Sequence, residues 1–162
     1  MSELRVGIGV DAHAFSEEAA LVLAGVDFPG ERGLAGHSDG DVVAHALIDA
    51  ILGAAGLGDI GELFPSGDPY WLDASSIRLL QRAYEVVRGA GWALVNADCV
   101  LIGEEPRIAP VRAAMQARLA GAMGVELDRI AVRATTTDAL GFTGRGEGLA
   151  AQAVALLQRA AA

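Results

Sequence analysis

The chain is poor in cysteine, in aromatic side chains and in positive charge, and each shortage narrows what it can be. A single cysteine, Cys99, permits no disulfide within the chain, so a disulfide-stapled scaffold is excluded. Aromatics make up 5% of the residues against 52% apolar residues in total, so small side chains packed closely must fill the core, leaving apolar surface for self-association. Twelve basic residues face 21 acidic ones, a net charge of −9, which argues against nucleic-acid binding because that needs a broad basic face. An anionic ligand would therefore need local help from a metal and a few arginines. No stretch approaches the roughly 18 uninterrupted apolar residues of a membrane span. The opening MSELRVGIGV has neither a basic n-region nor a cleavage site, so a cytoplasmic protein is expected. With 162 residues and no repeat, low-complexity linker or charge run, the expectation is one domain over 1–162.

What is present concentrates in HSDGDVVAH, from His37 to His45. Ser38 and Asp39 are good helix-start residues, and apolar residues continue at helical spacing from Asp41 through Leu52, so the segment reads as loop, cap and helix. His45 then lies one turn inside the helix. His37 lies in the loop before it, where backbone N–H groups and the helix dipole favour an anion such as a phosphate. Upstream, the strand Leu4–Val10 ends in Asp11-Ala12-His13, and a period of two puts Asp11 and His13 on one side. A carboxylate and two imidazoles form a three-ligand set of the kind catalytic zinc uses, with the fourth position open. A D-x-H pair is commonly just surface. Here all three histidines of the chain, His13, His37 and His45, fall within the two segments.

Leu21–Ala24 and Val26–Phe28, before Pro29-Gly30, read as a hairpin insertion. A helix over Asp41–Ala54 follows, then a turn-rich loop, LGDIGELFPSGDP. Ser75 or Ser76 caps a helix over Ile77–Arg88; Trp92–Ile102 reads as a strand, Pro110–Met123 as a helix ended by Gly124, and Ile130–Thr136 as a strand. Propensity alone makes the tail from Leu149 a helix. Two further loops carry chemistry. Thr135–Gly148 gathers hydroxyls, a carboxylate and glycines that suit phosphate oxygens and a hard cation, and equally suit a solvated connection. GEEPRIAP, Gly103–Pro110, could read a flat base with its backbone while Arg107 meets a phosphate, although an ordinary capping turn explains it as well.

Five stretches in order carry a resemblance: D-A-H at Asp11–His13, HSDGDVVAH at His37–His45, GLGDIGELFP at Gly56–Pro65, PRIAP at Pro106–Pro110 and ATTTDALGFTGRGEG at Ala134–Gly148. Nearly end to end, the chain resembles the 2-C-methyl-D-erythritol 2,4-cyclodiphosphate synthases of the non-mevalonate route to isoprenoids. The resemblance implies an α/β (α+β) sandwich, with a mixed β-sheet facing a trimer axis, helices on the outer face and a β-hairpin insertion. It also implies a strand over Leu149–Leu157, against propensity. The implied assembly is a homotrimer with active sites between subunits and an isoprenoid as a candidate occupant of the axial cavity. The implied substrate is 4-diphosphocytidyl-2-C-methyl-D-erythritol 2-phosphate.

By matched position, Asp11, His13 and His45 are the implied ligands of one Zn2+ per site, and Asp138 the ligand of Mg2+ or Mn2+ on the diphosphate. His37 and Thr136 match the residues credited with stabilising the transition state. Ser38 follows His37 into the pocket. Asp59 and Gly61, with Phe64, Pro65, Ser66, Gly67 and Asp68, match the part that holds the methylerythritol phosphate. Gly103, with Pro106, Arg107, Ile108 and Ala109, would take the cytidine; Thr135, Thr137, Phe142 and Arg145 match further substrate contacts. Three positions depart from the family pattern: Asp138 replaces the usual Glu, Arg107 a frequent Lys and Ser66 a common acidic residue. Two rivals are a zinc phosphoesterase and a trimeric binding protein with structural zinc, but structural zinc usually closes with four Cys or His ligands.

Overall fold

Alternating small and apolar residues build the first strand, β1 (Leu4–Ser16), which puts Leu4, Val6, Ile8 and Val10 on one exposed face. Gly7, Gly9, Asp11 and His13 share the other face. The computed structural model describes residues 3–161. β1 runs past the point where the sequence suggested its end: pairing with the last strand continues to Ala14, and Phe15 and Ser16 pair with a short strand, β4 (Gly33–Leu34). Asp11 and His13 are therefore inside a paired strand, which fixes their spacing more firmly than a strand end would. β2 (Val22–Leu23) and β3 (Val26–Asp27) form the expected hairpin.

β5 (Trp92–Ile102), β6 (Ile130–Thr135) and β7 (Gly148–Arg159) complete a five-stranded sheet in the order β4-β1-β7-β5-β6. β5 and β6 are parallel and the other pairs antiparallel, so the sheet is mixed. β7 is a strand, as the family resemblance implied and propensity did not. It lies between β1 and β5, and its inner row Leu149, Ala151, Ala153, Ala155 and Leu157 is buried.

Helices cover that inner face. α1 (Val42–Ala55) is apolar on nearly every side and is almost wholly buried, as expected of a helix clasped between layers. It packs on β1 and β7 below and on α3 (Ser76–Gly89) above, while α4 (Arg112–Met123) packs on α3 and β6. The start of α1 is corrected: its cap is Asp41, whose side chain accepts from Ala44 N–H, not Ser38 or Asp39. The turn-rich loop contains a short helix, α2 (Ile60–Leu63), and a 3-10 turn at Pro69–Trp71. A 3-10 turn at Ala109–Val111 precedes α4, and α5 (Gly141–Gly144) lies within the loop between β6 and β7. Among the described residues no helix is long and apolar enough to cross a membrane. Among the described residues no helix covers the opposite face of the sheet, and Val6, Ile8 and Val10 remain at least 60% exposed there.

Candidate active site

Two glycines bring the metal-ligating residues together. On the inner face of β1, a Cβ on Gly7 would collide with Ala50 O and one on Gly9 with Ala46 O, both on α1. Their absence lets the helix lie against the strand, with His45 one residue before the contact at Ala46. His45 thereby meets Asp11 and His13, the next inward residues after Gly9. Neither glycine entered the sequence argument, although VGIGVDAH spaces them at the same period of two as the ligands.

Asp11 Oδ2 lies 2.8 Å from His13 Nε2 and 3.0 Å from His45 Nδ1, and the two nitrogens are 3.3 Å apart. One ligand atom from each of the three residues lies within 4.8 Å of the others. His13 Nδ1–H donates to Ala35 O at 2.6 Å, which leaves Nε2 as the ligating nitrogen. Burial pushes the Asp11 carboxyl up, but hydrogen bonds from His13 and His45, with their charges, outweigh it and bring it down to about 2. The bond to Asp11 in turn raises the His13 imidazole, against burial. A carboxylate oxygen and two imidazole nitrogens at this spacing fit a cation of the zinc type, and the set opens into a cavity, as a catalytic metal requires.

That cavity, of about 270 Å³, is lined by Asp11, His13, His37, Ser38 and His45, and beyond them by Ile60, Gly61, Phe64, Ser66, Trp71 and Leu79. Eight of the residues named from sequence thus meet in one place. Asp59 caps α2 through Glu62 N–H, and Asp68 caps the following turn through Tyr70 N–H, so both carboxylates shape the loop that carries exposed Pro65, Ser66 and Gly67. Phe64 is buried edge-on against Trp71, with ring centroids 4.8 Å apart. The phosphate expected at the N-terminus of α1 has a resident competitor. Asp41, fully buried, accepts there from Ala24, Gly25 and Ala44 N–H groups, so the protein supplies its own anion at that helix end.

The remaining residues gather elsewhere. Gly103 N–H donates to Thr135 O, joining the two loops at the ends of β5 and β6. Exposed Thr135, Thr136 and Asp138 lie there with half-buried Pro106 and exposed Arg107 and Ala109. The Ile108 side chain is 2% exposed and belongs to the core, so only its backbone could meet a ligand. The Thr137 hydroxyl donates to Leu140 O at 2.6 Å, inside its own loop. Glu104, overlooked in the sequence, accepts from Thr137 N–H at 3.3 Å and Ala139 N–H at 3.5 Å and so holds the loop in shape. Phe142 lines a separate cavity with Ala12, His13, Ala14 and Glu147, and Arg145 pairs with Glu147 at 3.2 Å.

Register sets the distance between the two groups. Ala12 pairs with Ala150, Ala150 with Ile102, and Ile102 with Thr135, so the β1 ligands and Thr135 are three strands apart in one row. At about 4.8 Å per strand this is roughly 14 Å. The two groups of residues are thus separate on one chain.

An α+β protein with a mixed sheet, helices on one face and a three-ligand metal set opening into a cavity is the class that fold and site define. The sequence pattern of the YgbB family matches residues 4–158. A protein of Rubrobacter xylanophilus named 2-C-methyl-D-erythritol 2,4-cyclodiphosphate synthase is 58% identical over 163 residues, 99% of this chain and 98% of that one. One of the same name from Moorella thermoacetica is 56% identical over 154 residues, 95% of this chain and 94% of that one. Among solved structures, IspF of Plasmodium falciparum in a CDP complex superposes with a TM-score of 0.86 at 29% identity, covering 99% of each chain. The chain belongs to the YgbB family, with the 2-C-methyl-D-erythritol 2,4-cyclodiphosphate synthases.

Proposed function

We propose that this chain is a phosphorus–oxygen lyase that converts 4-diphosphocytidyl-2-C-methyl-D-erythritol 2-phosphate to 2-C-methyl-D-erythritol 2,4-cyclodiphosphate and CMP. The observation that carries the reading is the Asp11–His13–His45 set opening into the cavity of His37, Ser38 and Gly61, in a chain 58% identical to a synthase of that name. An oxygen of the 2-phosphate attacks the β-phosphorus, the bond from that phosphorus to the CMP oxygen breaks, and CMP leaves with the electron pair. Attacking and leaving groups belong to one molecule, so positioning and charge neutralisation are the main tasks and no protein nucleophile is needed. Zinc held by Asp11, His13 and His45 would supply Lewis-acid polarisation of the β-phosphate.

The rest falls to the chain's own side chains. His37 and Thr136 stabilise charge on the transferring phosphorus, with Ser38 beside His37. Gly61 and the loop Phe64–Asp68 hold the methylerythritol phosphate, Asp59 shaping that loop. Gly103, Pro106, Arg107 and the Ile108 and Ala109 backbone take the cytidine and its phosphates with Thr135 and Thr137, and Asp138 serves Mg2+ or Mn2+ on the diphosphate. Phe142 and Arg145 complete the contacts, with Arg145 also near the central cavity of the trimer.

The roughly 14 Å between the two halves supports a homotrimer in which each site joins the metal half of one subunit to the β5–β6 half of the next. The open apolar face of β1 supports the same assembly, with the sheets toward the axis and an isoprenoid as a candidate occupant of the space they enclose. The enzyme is a single domain and cytoplasmic in this reading. Incubation with the diphosphocytidyl substrate, followed by 31P NMR and CMP quantification, tests it. CMP and the cyclic diphosphate in equal amounts are expected. An open-chain phosphate without CMP would put a zinc phosphoesterase in its place.

A further inference from the structure

We infer that Ser76 and Asp39 form a positioning relay that fixes the orientation and tautomer of His45, so that Nδ1 is the nitrogen offered to a metal. The inference rests on the ligand set proposed above and adds two residues to it. Ser76, the first residue of α3, is fully buried, and its hydroxyl lies 2.8 Å from His45 Nε2. The same hydroxyl is hydrogen-bonded to Asp39 Oδ1. An ionised carboxylate only accepts, so the single hydroxyl proton goes to Asp39. Ser76 Oγ is left with lone pairs toward the imidazole, and His45 Nε2 must be the donor. A proton on Nε2 frees the lone pair on Nδ1, the atom 3.0 Å from Asp11 Oδ2 and 3.3 Å from His13 Nε2.

Asp39 is anchored independently of His45, which is what allows it to orient its neighbour. Its Oδ2 accepts from Ser76 N–H at 2.9 Å and its Oδ1 from Asp41 N–H at 3.1 Å. The nominal cap of α3, Ser75, makes no capping bond with its side chain, so Asp39 reaches across from the loop before α1 to cap α3 instead. The relay thus ties the starts of the two helices to one ring nitrogen. Ser38 Oγ, 3.0 Å from Nε2 and 3.4 Å from Ser76 Oγ, is a second neighbour of that nitrogen, but it makes no bond to a carboxylate that would fix the direction of its proton.

The test has two arms. In metal-free Asp11→Ala protein, where no carboxylate competes for a proton on Nδ1, 15N NMR of the histidine rings should find neutral His45 protonated at Nε2; the Nδ1–H tautomer would overturn the relay whatever zinc does. Zinc affinity, by competition with a chromophoric chelator, should fall about 10- to 100-fold in Ser76→Ala. Ser76→Thr, which keeps the hydroxyl, should recover most of the loss, and Ser38→Ala should change affinity by less than Ser76→Ala. Asp39→Asn should lose at least as much as Ser76→Ala. An amide facing Ser76 Oγ either turns the hydroxyl proton back onto Nε2 or leaves the Ser76 N–H facing another donor. Thermal melts of the metal-free variants keep a folding defect apart from a ligand defect. A Ser76→Ala protein that folds and holds zinc within twofold of wild type overturns the inference. Wild-type protein that takes up no zinc removes the ligand set itself, and the NMR arm still decides the relay.

Discussion

Asp138 is where this chain leaves the family pattern at a residue assigned to a metal. Asp is one methylene shorter than Glu, about 1.5 Å of reach. Magnesium holds its oxygens at about 2.0–2.1 Å with little tolerance, so a stretched bond does not absorb the deficit. Asp138 and Ala139 both have left-handed backbone (φ 51° and 64°), with Glu104 accepting from the N–H groups of Thr137 and Ala139. The carboxylate is thereby set by a shaped loop, and to serve a magnesium ion either that loop would have to sit closer to the diphosphate or a water would have to bridge the gap. Asp138→Ala should raise the magnesium needed for CMP release several-fold with zinc content unchanged, and superimposable titration curves would remove Asp138 from the second metal. Arg107 is a different kind of departure, since the chain contains no lysine and every side-chain cation except histidine is a guanidinium fork. Asp41 carries a pH prediction. Burial, aided by the charge of Asp39, raises its carboxyl to about 6 against three backbone N–H bonds. A carboxyl raised on folding binds more protons in the native state, so its contribution is fully present below the unfolded value of 3.8 and is lost as pH rises through about 6. Urea melts from pH 4 to pH 7 should show the stability gap between wild type and Asp41→Asn narrowing as pH rises, by at most about 1.4 kcal/mol per unit. A gap that widens would reverse the assigned direction.

At the scale of elements, the site depends on how closely α1 lies on β1 and β7. That seam is built from Gly7, Gly9, Ala46, Ala50, Ala151 and Ala153, and a side chain larger than alanine would lift the helix and carry His45 away from Asp11. Gly9→Ala forces a Cβ onto Ala46 O. It should cost about 1–3 kcal/mol or more and reduce zinc affinity with it. Gly121→Ala, inside α4 with nothing within 4 Å of the added Cβ, should instead stabilise by about 1 kcal/mol, in denaturant melts of both proteins. The same small residues explain what the sequence hid. Trp92–Ile102 was legible because β-branched and large apolar residues alternate there, and the structure gives it those bounds. In β7 the buried row is mostly alanine and the outer row includes Gln152 and Val154, so period two barely registers while alanine signals helix. The three ligands could be found because all histidines fall in two segments. Ser76, Asp39 and Glu104 could not, because each acts through hydrogen bonds across more than thirty positions and leaves no local period.

At the scale of the whole molecule, the sheet poses two questions with one answer. Its open face carries Leu4, Val6, Ile8 and Val10 in one exposed row, an apolar surface of the kind that marks an interaction site. Its row through Ala12, Ala150, Ile102 and Thr135 separates the metal half of the site from the β5–β6 half by roughly 14 Å. The cyclic assembly proposed above, with the open faces toward one axis, would cover the first and would bring the β5–β6 edge of one subunit to the cavity of its neighbour. This makes a prediction that no single variant can imitate. His45→Ala damages only the metal half and Thr136→Ala only the other, so each protein alone should be nearly inactive. When the two chains are unfolded, mixed in equal amounts and refolded together, some interfaces pair the intact cavity of a Thr136→Ala subunit with the intact loops of a His45→Ala subunit. For random assembly in a ring, the chance of that ordered pair at any interface is one half times one half. CMP release should therefore recover to about a quarter of the wild-type rate, provided the ring closes head to tail. Sites built within one chain would recover nothing in any mixture, since every chain would carry one broken half.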